Sequence, residues 1–346
     1  MLQTVFLILL FSGVAHTAGL ADSVYCIGKR KFIEKGSPTQ FDFRPRGFSL
    51  PNAYWLAVAS NNVYREKDAV LNEFKRWGFV EGKEPQDDNK LFFLDRAKDL
   101  GAFSADTQAV WAENRDGIIL VFRGTTPENA ADLATDRARS REPLRDLGEV
   151  HAGFLGALKI VWGDIDRRMA QLRRRERNEQ GMRYQKPIWI SGHSLGAAIA
   201  TIAAAKLLKE GFNVAGLYTF GSPRADTEAF AHAVELMAHD RGMREQLVRF
   251  VNQHDIVARI PPFTGLTAEL PLKEEWRHVG RVKYFTGKKP ESGSVELNTD
   301  PLFTVGLPQF PTELLDKRDD WFRDHNVAEY IRKLEHVVFG APARCD

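Results

Sequence analysis

Cysteine is nearly absent from this sequence, which limits the kinds of site that the chain can hold. The 346 residues include two cysteines, Cys26 and Cys345. They form no Cys/His cluster with the spacing of a metal site, so we expect no metal. A disulfide between them would join the two ends of the chain and restrict the unfolded state by about 4–5 kcal/mol on the chain-entropy account. Two unrelated free thiols are the alternative, because a sequence does not supply disulfide geometry.

An excess of charge of one sign is also missing. Lys and Arg total 48, Asp and Glu total 46, and the formal net charge is +2. Nucleic-acid binding driven by bulk charge needs a clear basic excess, so we expect no nucleic-acid partner. The chain shows no internal repeat. Its 43% hydrophobic residues suffice for a large core.

The N-terminal apolar run, Leu2–Leu10, is shorter than the about 20 residues that cross a bilayer. Small residues follow at Ala15, Ala18 and Ala21, the pattern of a cleaved secretory signal over 1–21. The first four residues carry no Lys or Arg, so a membrane anchor or a buried helix stays as an alternative. We expect a secreted or extracytoplasmic protein with a polar extension over 22–50 and one domain over 51–346.

Apolar strands alternate with helices through most of the domain. This alternation predicts an α/β fold with a mostly parallel sheet and helices on both faces. Helical spacing covers Pro51–Phe79 and a charged loop covers Glu81–Lys90. The other predicted strands are Ala109–Ala112, Ile118–Phe122, Ile188–Ile190, Val214–Phe220, Leu247–Asn252 and His278–Phe285; the other predicted helices are Phe154–Arg175, Leu195–Lys209, Ala225–Ala238 and Val327–Val338.

The strongest local signal is a G-x-S-x-G motif, Gly192-His193-Ser194-Leu195-Gly196. It lies between an apolar strand and a helix rich in small residues, the context of a nucleophile elbow. A serine on so tight a turn is held at the rim of the sheet. The glycines allow close backbone approach, and the helix start directs free N–H groups at the reaction centre. We therefore predict that Ser194 is a nucleophile; a plain Gly/Ser turn is the alternative.

An ester hydrolase also needs preorganised donors for the tetrahedral oxyanion. The amide of Leu195, directly after the nucleophile, is one candidate. The second donor should come from the loop after an earlier strand. Thr125 follows the strand that ends at Phe122 and could offer both its amide and its hydroxyl. An ordinary strand end with a threonine cap is the alternative.

Four motifs in series are similar to those of the class 3 lipases. They are Phe122–Thr125, His151–Phe154, Gly192–Gly196 and Tyr218–Arg224. The resemblance covers roughly Ala53–Glu335. It implies the α/β-hydrolase fold, hydrolysis of carboxylic esters, usually of glycerolipids, and Thr125 and Leu195 as the oxyanion donors. His151, within its motif, is expected to be a structural hydrogen-bonding residue near the site.

The catalytic acid should follow the serine and precede the histidine in an α/β-hydrolase. Asp255 comes just after the strand Leu247–Asn252, so it should lie at the same rim of the sheet as Ser194. Its segment resembles the acid-bearing segment of the family, with departures at His254 and Ala258. The other candidate, Asp226, falls within a predicted helix and is expected to be a surface or capping residue. We favour Asp255.

Three histidines follow the acid: His278, His325 and His336. His325 resembles the family's Asp-His pair ahead of the last helix, whereas His278 matches a second family motif that is not the base. His336 lies in the last predicted helix and is expected at the surface or in packing. Chain order alone does not separate the candidates, and the resemblance favours His325 as the base.

The predicted activity is ester hydrolysis through an acyl-enzyme, with acylglycerols as substrates and no cofactor. A phospholipase A1, an esterase for short or aryl esters, acyl transfer to another acceptor and an inactive lipase-like binding protein are the alternatives. We expect a monomer with transient contact at a lipid interface. Ala130 occupies the place where family lids carry a Trp, so interfacial activation through that segment is in doubt. The apolar stretch Pro301–Leu315 could cover the pocket instead.

Overall fold

The computed structural model describes residues 41–80, 90–99, 104–125, 140–175, 186–260, 276–285, 297–298 and 318–339. Several sequence-based predictions fall outside these residues. They concern the signal segment 1–21, Cys26 and Cys345 with their disulfide, the lid position at Ala130, and the stretch Pro301–Leu315. These predictions stay as predictions.

An eight-stranded mixed sheet forms the centre of the fold. Its strands are β1 (Lys90–Asp99), β2 (Ser104–Glu113), β3 (Ile118–Phe122), β6 (Ile188–His193), β7 (Val214–Phe220), β9 (Leu247–Asn252), β11 (Arg281–Phe285) and β12 (Leu297–Asn298), in the order β1-β2-β3-β6-β7-β9-β11-β12. The five strands from β3 to β11 run parallel, and the outer pairs are antiparallel. The prediction of an α/β fold with a mostly parallel sheet is confirmed.

Helices cover both faces of this sheet. They are α1 (Leu50–Asn62), α2 (Lys67–Arg76), α3 (Ala152–Arg175), α4 (Leu195–Lys209), α5 (Glu228–Asp240), α6 (Arg318–His325) and α7 (Val327–Phe339). Side chains of α3, α4 and α5 pack with Ile118, Leu120 and Phe122 on one face. Side chains of α1, α2 and α7 pack with Ile119 and Val121 on the other. Strand β3 is apolar throughout because both of its faces are buried.

Several elements have the boundaries that the sequence predicts, and others differ for identifiable reasons. Helix α4 and strands β7 and β9 begin and end at the predicted residues. The helical spacing over Pro51–Phe79 corresponds to two helices, because the chain leaves helical geometry after Val63 and resumes at Lys67. Strand β1 was not predicted. It is an edge strand whose charged residues interrupt the apolar pattern, as is common where a sheet edge meets solvent.

A second, four-stranded sheet lies beside the first, in the order β10-β8-β5-β4. It contains β4 (Arg141–Leu144), β5 (Gly148–His151), β8 (Asp226–Thr227) and β10 (Trp276–Arg277). The helix predicted from Ala225 is therefore wrong at its start. Asp226 pairs with Val150 in this sheet, and Thr227 caps α5 by accepting a hydrogen bond from the amide of Phe230. Asp226 is buried and not a surface or capping residue.

The segment before α1 lies against the core. Phe41 is buried and packs edge-on against Trp189 of β6, with ring centroids 5.5 Å apart. Ser49 then caps α1 by accepting a hydrogen bond from the amide of Asn52 at 3.2 Å. Residues 41–49, which the sequence places in an extension, therefore anchor α1 on the sheet.

The parallel strands bring four turns to one edge of the sheet. The chain leaves β3 towards Thr125, β6 at Ser194, β7 at Gly221 and β9 towards Asp255. The carboxyl ends of parallel strands meet at the same edge, which is where open α/β sheets form their sites.

Candidate active site

Ser194 lies on a sharp turn between β6 and α4. Its φ of 58° is in the left-handed region, which is rare for a residue other than glycine. The two motif glycines allow the turn, because a Cβ on Gly192 would collide with the backbone of Gly196, and one on Gly196 would collide with the carbonyl of Phe122. The strained serine and the crowded glycines are the features expected of a nucleophile elbow.

Ser194, His325 and Asp255 are joined in one hydrogen-bonded row. The Nε2 atom of His325 lies 2.9 Å from Oγ of Ser194. Its Nδ1 atom lies 2.9 and 3.0 Å from the two carboxylate oxygens of Asp255. A carboxylate only accepts, so Nδ1 carries a proton that it donates to Asp255. When Nε2 carries none, it accepts a hydrogen bond from the serine hydroxyl. All three residues are 0% exposed.

The carboxylate of Asp255 is held by further donors. The amides of Val257 and Ala258 donate to Oδ1 at 2.9 and 3.3 Å, and the hydroxyl of Tyr330 donates to Oδ2 at 2.6 Å. Burial alone would raise the pKa of Asp255. The charge of His325 and the hydrogen bonds from His325 and Tyr330 outweigh burial and hold that pKa below its usual range. Asp255 is therefore fixed in its charged form.

Tyr330 belongs to α7 and was not identified from the sequence as a site residue. Its oxygen accepts a hydrogen bond from the amide of Asn252 at 3.0 Å while its hydroxyl donates to Asp255. Burial, and then the negative charge of Asp255, raise the pKa of Tyr330 well above its usual range, so it stays a donor. Nothing in the local pattern of a helix marks a tyrosine that reaches a carboxylate 75 residues away.

His193, the residue before Ser194 in the G-x-S-x-G motif, is neutral. Burial, with the nearby charge of His325, lowers the pKa of His193 to about 3. Its Nε2 atom lies 2.6 Å from the carbonyl oxygen of His325, and its Nδ1 atom lies 3.0 Å from Oη of Tyr64. The His193 and His325 rings are 4.6 Å apart between centroids. His193 thus lies beside the row and not in it.

The two predicted oxyanion donors flank the serine. Leu195 is the first residue of α4, and the first-turn amides of a helix have no carbonyl partner within it. Gly124 lies against the elbow on the other side. A Cβ there would be 2.6 Å from the carbonyl oxygen of His193 and 3.2 Å from Cβ of Ser194. Thr125 follows directly and is partly exposed, as is Leu195, whereas Ser194 is fully buried.

Gly221 is a further residue that the sequence did not single out for this site. Its φ is +57°, and a Cβ there would lie 2.6 Å from Oδ2 of Asp255 and 2.9 Å from Nδ1 of His325. Only glycine fits both the backbone conformation and the space beside the Asp–His pair. The motif containing Tyr218–Arg224 was the available signal for this position.

The remaining candidates lie away from the row. The Nε2 atom of His278 lies 3.0 Å from the carbonyl oxygen of Ala258, and burial lowers the pKa of that histidine well below its usual range. His336 is partly buried within α7. His151 accepts a hydrogen bond from the amide of Gly153 at 3.2 Å. These positions agree with the preference for His325 at the serine.

Among the residues that the structure describes, no three His, Cys, Asp or Glu side chains are grouped as metal ligands would be, and no helix is both long and apolar enough to cross a bilayer. A groove of about 380 Å³ lies at the far end of α4, lined by Leu144, Lys206 and Glu210. A 15-residue helix separates this groove from Ser194, a span of roughly 20 Å.

The family model described as Lipase (class 3) matches residues 119–265. Among curated relatives, Secreted mono- and diacylglycerol lipase 1 of Fusarium solani is 35% identical over 113 residues, covering 33% of this chain and 30% of that protein. Secreted mono- and diacylglycerol lipase LIP4 of Malassezia restricta is 26% identical over 229 residues, covering 60% of this chain and 72% of that protein. The chain spans well under half the length of the first curated relatives that it matches, 30% and 43%.

Solved structures show the same fold at low sequence identity. A lipase from Rhizopus microsporus var. chinensis is 20% identical, with a TM-score of 0.53 over 81% of this chain and 87% of its own. MDLA from Penicillium cyclopium is 20% identical, with a TM-score of 0.50 over 79% and 92%. Together with the motif series, the family match over residues 119–265 supports membership of the class 3 lipase family, and the solved structures share the α/β-hydrolase fold.

Proposed function

We propose that this protein is a secreted serine ester hydrolase, a lipase that cleaves acylglycerols through an acyl-enzyme on Ser194. The observation that carries the proposal is the contact of His325 with Ser194 on one ring nitrogen and with Asp255 on the other. Family membership supports it, as do the names of the relatives, which are secreted mono- and diacylglycerol lipases. No cofactor is needed, because proton transfer and an oxyanion hole suffice for this chemistry.

The reaction follows from the order of the groups. His325 takes the proton of the Ser194 hydroxyl as the oxygen attacks the ester carbonyl, and Asp255 stabilises the resulting imidazolium. The amides of Thr125 and Leu195 donate hydrogen bonds to the tetrahedral oxygen and stabilise its negative charge. His325 then protonates the leaving alcohol, and the acyl group stays on the serine. Water, deprotonated by His325, attacks the acyl-enzyme and releases the fatty acid.

Burial of the serine adds a requirement. Ser194, Asp255 and His325 have no exposed surface, so an ester reaches the hydroxyl only when the chain around it opens. A long acylglycerol needs more room than a small soluble ester. We therefore expect turnover of p-nitrophenyl butyrate in solution and a higher rate on acylglycerols presented at an interface.

Labelling with a fluorophosphonate probe tests the nucleophile. The wild-type chain should be labelled, and Ser194→Ala should not. Ser60→Ala is a matched control, because Ser60 is also fully buried and its hydroxyl contacts Ser191 and not the row. Absence of labelling in the wild type, or labelling that persists in Ser194→Ala, would refute the proposal.

A substrate panel separates the classes of ester. Tri-, di- and monoacylglycerols, phosphatidylcholine, p-nitrophenyl butyrate and an aryl ester would be compared by kcat/KM. We expect acylglycerols to be preferred. A higher kcat/KM on phosphatidylcholine would favour a phospholipase A1, and activity confined to small soluble esters would favour an esterase.

A further inference from the structure

Tyr64 lies just past the end of α1 and reaches the elbow from outside the motifs that define it. Its hydroxyl oxygen is 3.0 Å from Nδ1 of His193, and the two rings meet edge to face with centroids 5.9 Å apart. The guanidinium of Arg123, the residue before Gly124, lies 5.7 Å from the centre of the tyrosine ring. The reaction derived above makes no use of this phenol.

The direction of each hydrogen bond follows from proton count. Nε2 of His193 contacts the carbonyl oxygen of His325 at 2.6 Å, and a carbonyl only accepts, so Nε2 carries the proton. The ring is neutral, so Nδ1 is an acceptor. The hydroxyl of Tyr64 therefore donates to Nδ1 of His193. The phenol stays protonated, since burial raises the pKa of Tyr64.

The oxygen of the same hydroxyl faces the loop that carries the predicted oxyanion donor. This oxygen packs directly against the backbone of Gly124. The contact is so close that a Cβ on Gly124 would collide with Oη of Tyr64. One phenol thus touches the Gly124 backbone on one side and the His193 ring on the other.

We propose that Tyr64 is a positioning residue, which fixes the oxyanion loop at Gly124 and Thr125 relative to the elbow. Its oxygen packs against the Gly124 backbone, its hydroxyl donates to His193, and His193 donates to the carbonyl of His325. This inference rests on the proposed function. It assigns to Tyr64 a role in the oxyanion hole that is separate from proton transfer.

The arrangement matters because an oxyanion donor acts only when it is already in place as charge develops. Loss of one such donor typically costs about 10²–10³-fold in kcat. Thr125 is the residue after Gly124, so a shift of Gly124 moves its amide. Burial keeps His193 neutral beside His325. A cation at His193 would oppose the positive charge that His325 gains during the reaction.

The test is Tyr64→Phe, which removes the hydroxyl and keeps the ring. The control is Tyr218→Phe, which removes a buried hydroxyl that accepts from the amide of Ser49 at 3.0 Å, away from the row. We expect Tyr64→Phe to lower kcat on p-nitrophenyl butyrate by about 10- to 100-fold. KM should stay within about twofold, because the donor acts on the transition state and not on the bound ester. Titration with the fluorophosphonate probe counts the active molecules, so partial unfolding does not pass for a lower kcat.

A second variant replaces His193, the ring to which Tyr64 donates. His193→Asn should lower kcat to a similar extent, and the double variant should lose no more than the larger single loss. If the fold-decreases in kcat of the two single variants multiply in the double variant, the proposal is overturned. So would an unchanged kcat in Tyr64→Phe, or a KM rise with no fall in kcat. A wild type that neither turns over ester nor reacts with the probe would instead refute the proposed function, and this inference with it.

Discussion

The hydroxyl of Tyr330 is the donor whose removal should reveal most about how Asp255 is held. Tyr330→Phe keeps the buried ring and deletes the 2.6 Å hydrogen bond to Oδ2. A hydrogen bond to a charged group contributes about 1.5–3 kcal/mol to stability. The same substitution leaves the amide of Asn252 without its acceptor, a penalty of about 1–3 kcal/mol for a buried donor. We expect the free energy of unfolding to fall by about 3 kcal/mol at neutral pH.

The two parts of this loss differ in their dependence on pH. The folded pKa of Asp255 lies below its usual range, so its charge contributes stability that is present above the unfolded pKa. That stability is lost as the pH falls through the folded pKa. Tyr330→Phe raises the folded pKa, so the part of the penalty carried by Asp255 is full at neutral pH and shrinks in the acid range, below the usual pKa of an aspartate. The part carried by the Asn252 amide stays.

Urea unfolding of both proteins across this pH range measures the two parts. Tyr284→Phe is the matched control, because its hydroxyl donates to a neutral acceptor, the carbonyl of Gln253, at 3.0 Å. We also expect kcat of Tyr330→Phe to fall about 10-fold, equal to about 1.4 kcal/mol. This is well short of the roughly 10⁴-fold loss expected when a triad carboxylate becomes an amide. A destabilisation that is the same at every pH, with unchanged kcat, would refute the reasoning.

Three further substitutions test separate parts of the molecule. Gly221→Ala places a Cβ 2.6 Å from Oδ2 of Asp255 and should slow fluorophosphonate labelling by at least about 10²-fold. Unchanged labelling would show that the backbone of the turn shifts without moving the carboxylate. Burial raises the pKa of Asp226 well above its usual range. The stability that the protonated Asp226 contributes is therefore fully present below the unfolded pKa and is lost as the pH rises. The free energy of unfolding of Asp226→Asn, measured in urea, should therefore exceed that of the wild type by about 1–3 kcal/mol at neutral pH and by little in acid. An equal gain at both pH values would contradict this. Lys186→Met removes the 3.0 Å ion pair with the buried Glu113 and should lower the free energy of unfolding in urea by about 3–5 kcal/mol with unchanged kcat. A fall in kcat would show that this distant pair affects the site.

The elements that the sequence predicts best are those buried on both sides. Helix α4 and strands β3 and β7 match their predicted boundaries because they are mostly apolar and are followed by glycines or polar residues. Edge strands and very short strands were predicted poorly. Strand β1 has charged residues on both sides of Leu91–Leu94, and strand β8 is two residues long, so neither has enough local pattern to stand out.

The candidate site was accessible from the sequence to different degrees. Ser194 has a local motif with a physical reason for each residue. Asp255 and His325 came from chain order and from the resemblance to the class 3 lipases, because their contact joins positions 70 residues apart. Tyr330 and Tyr64 reach the site over 75 and 129 residues, and no pattern marks them. A hydroxyl that orients a buried acceptor depends on the packing of a whole helix, which a local sequence does not specify.

These two tyrosines lie on opposite sides of the candidate site. Tyr330 belongs to the charged end, where Asp255 accepts from two amides as well as from His325 and the phenol. Tyr64 belongs to the end where charge would appear on the substrate oxygen. Because the row is fully buried, fixed donors must stabilise both charges, and they do so without reorganising during the reaction. It follows that turnover should depend on residues that never touch the ester, and that loss of either hydroxyl should change kcat more than KM.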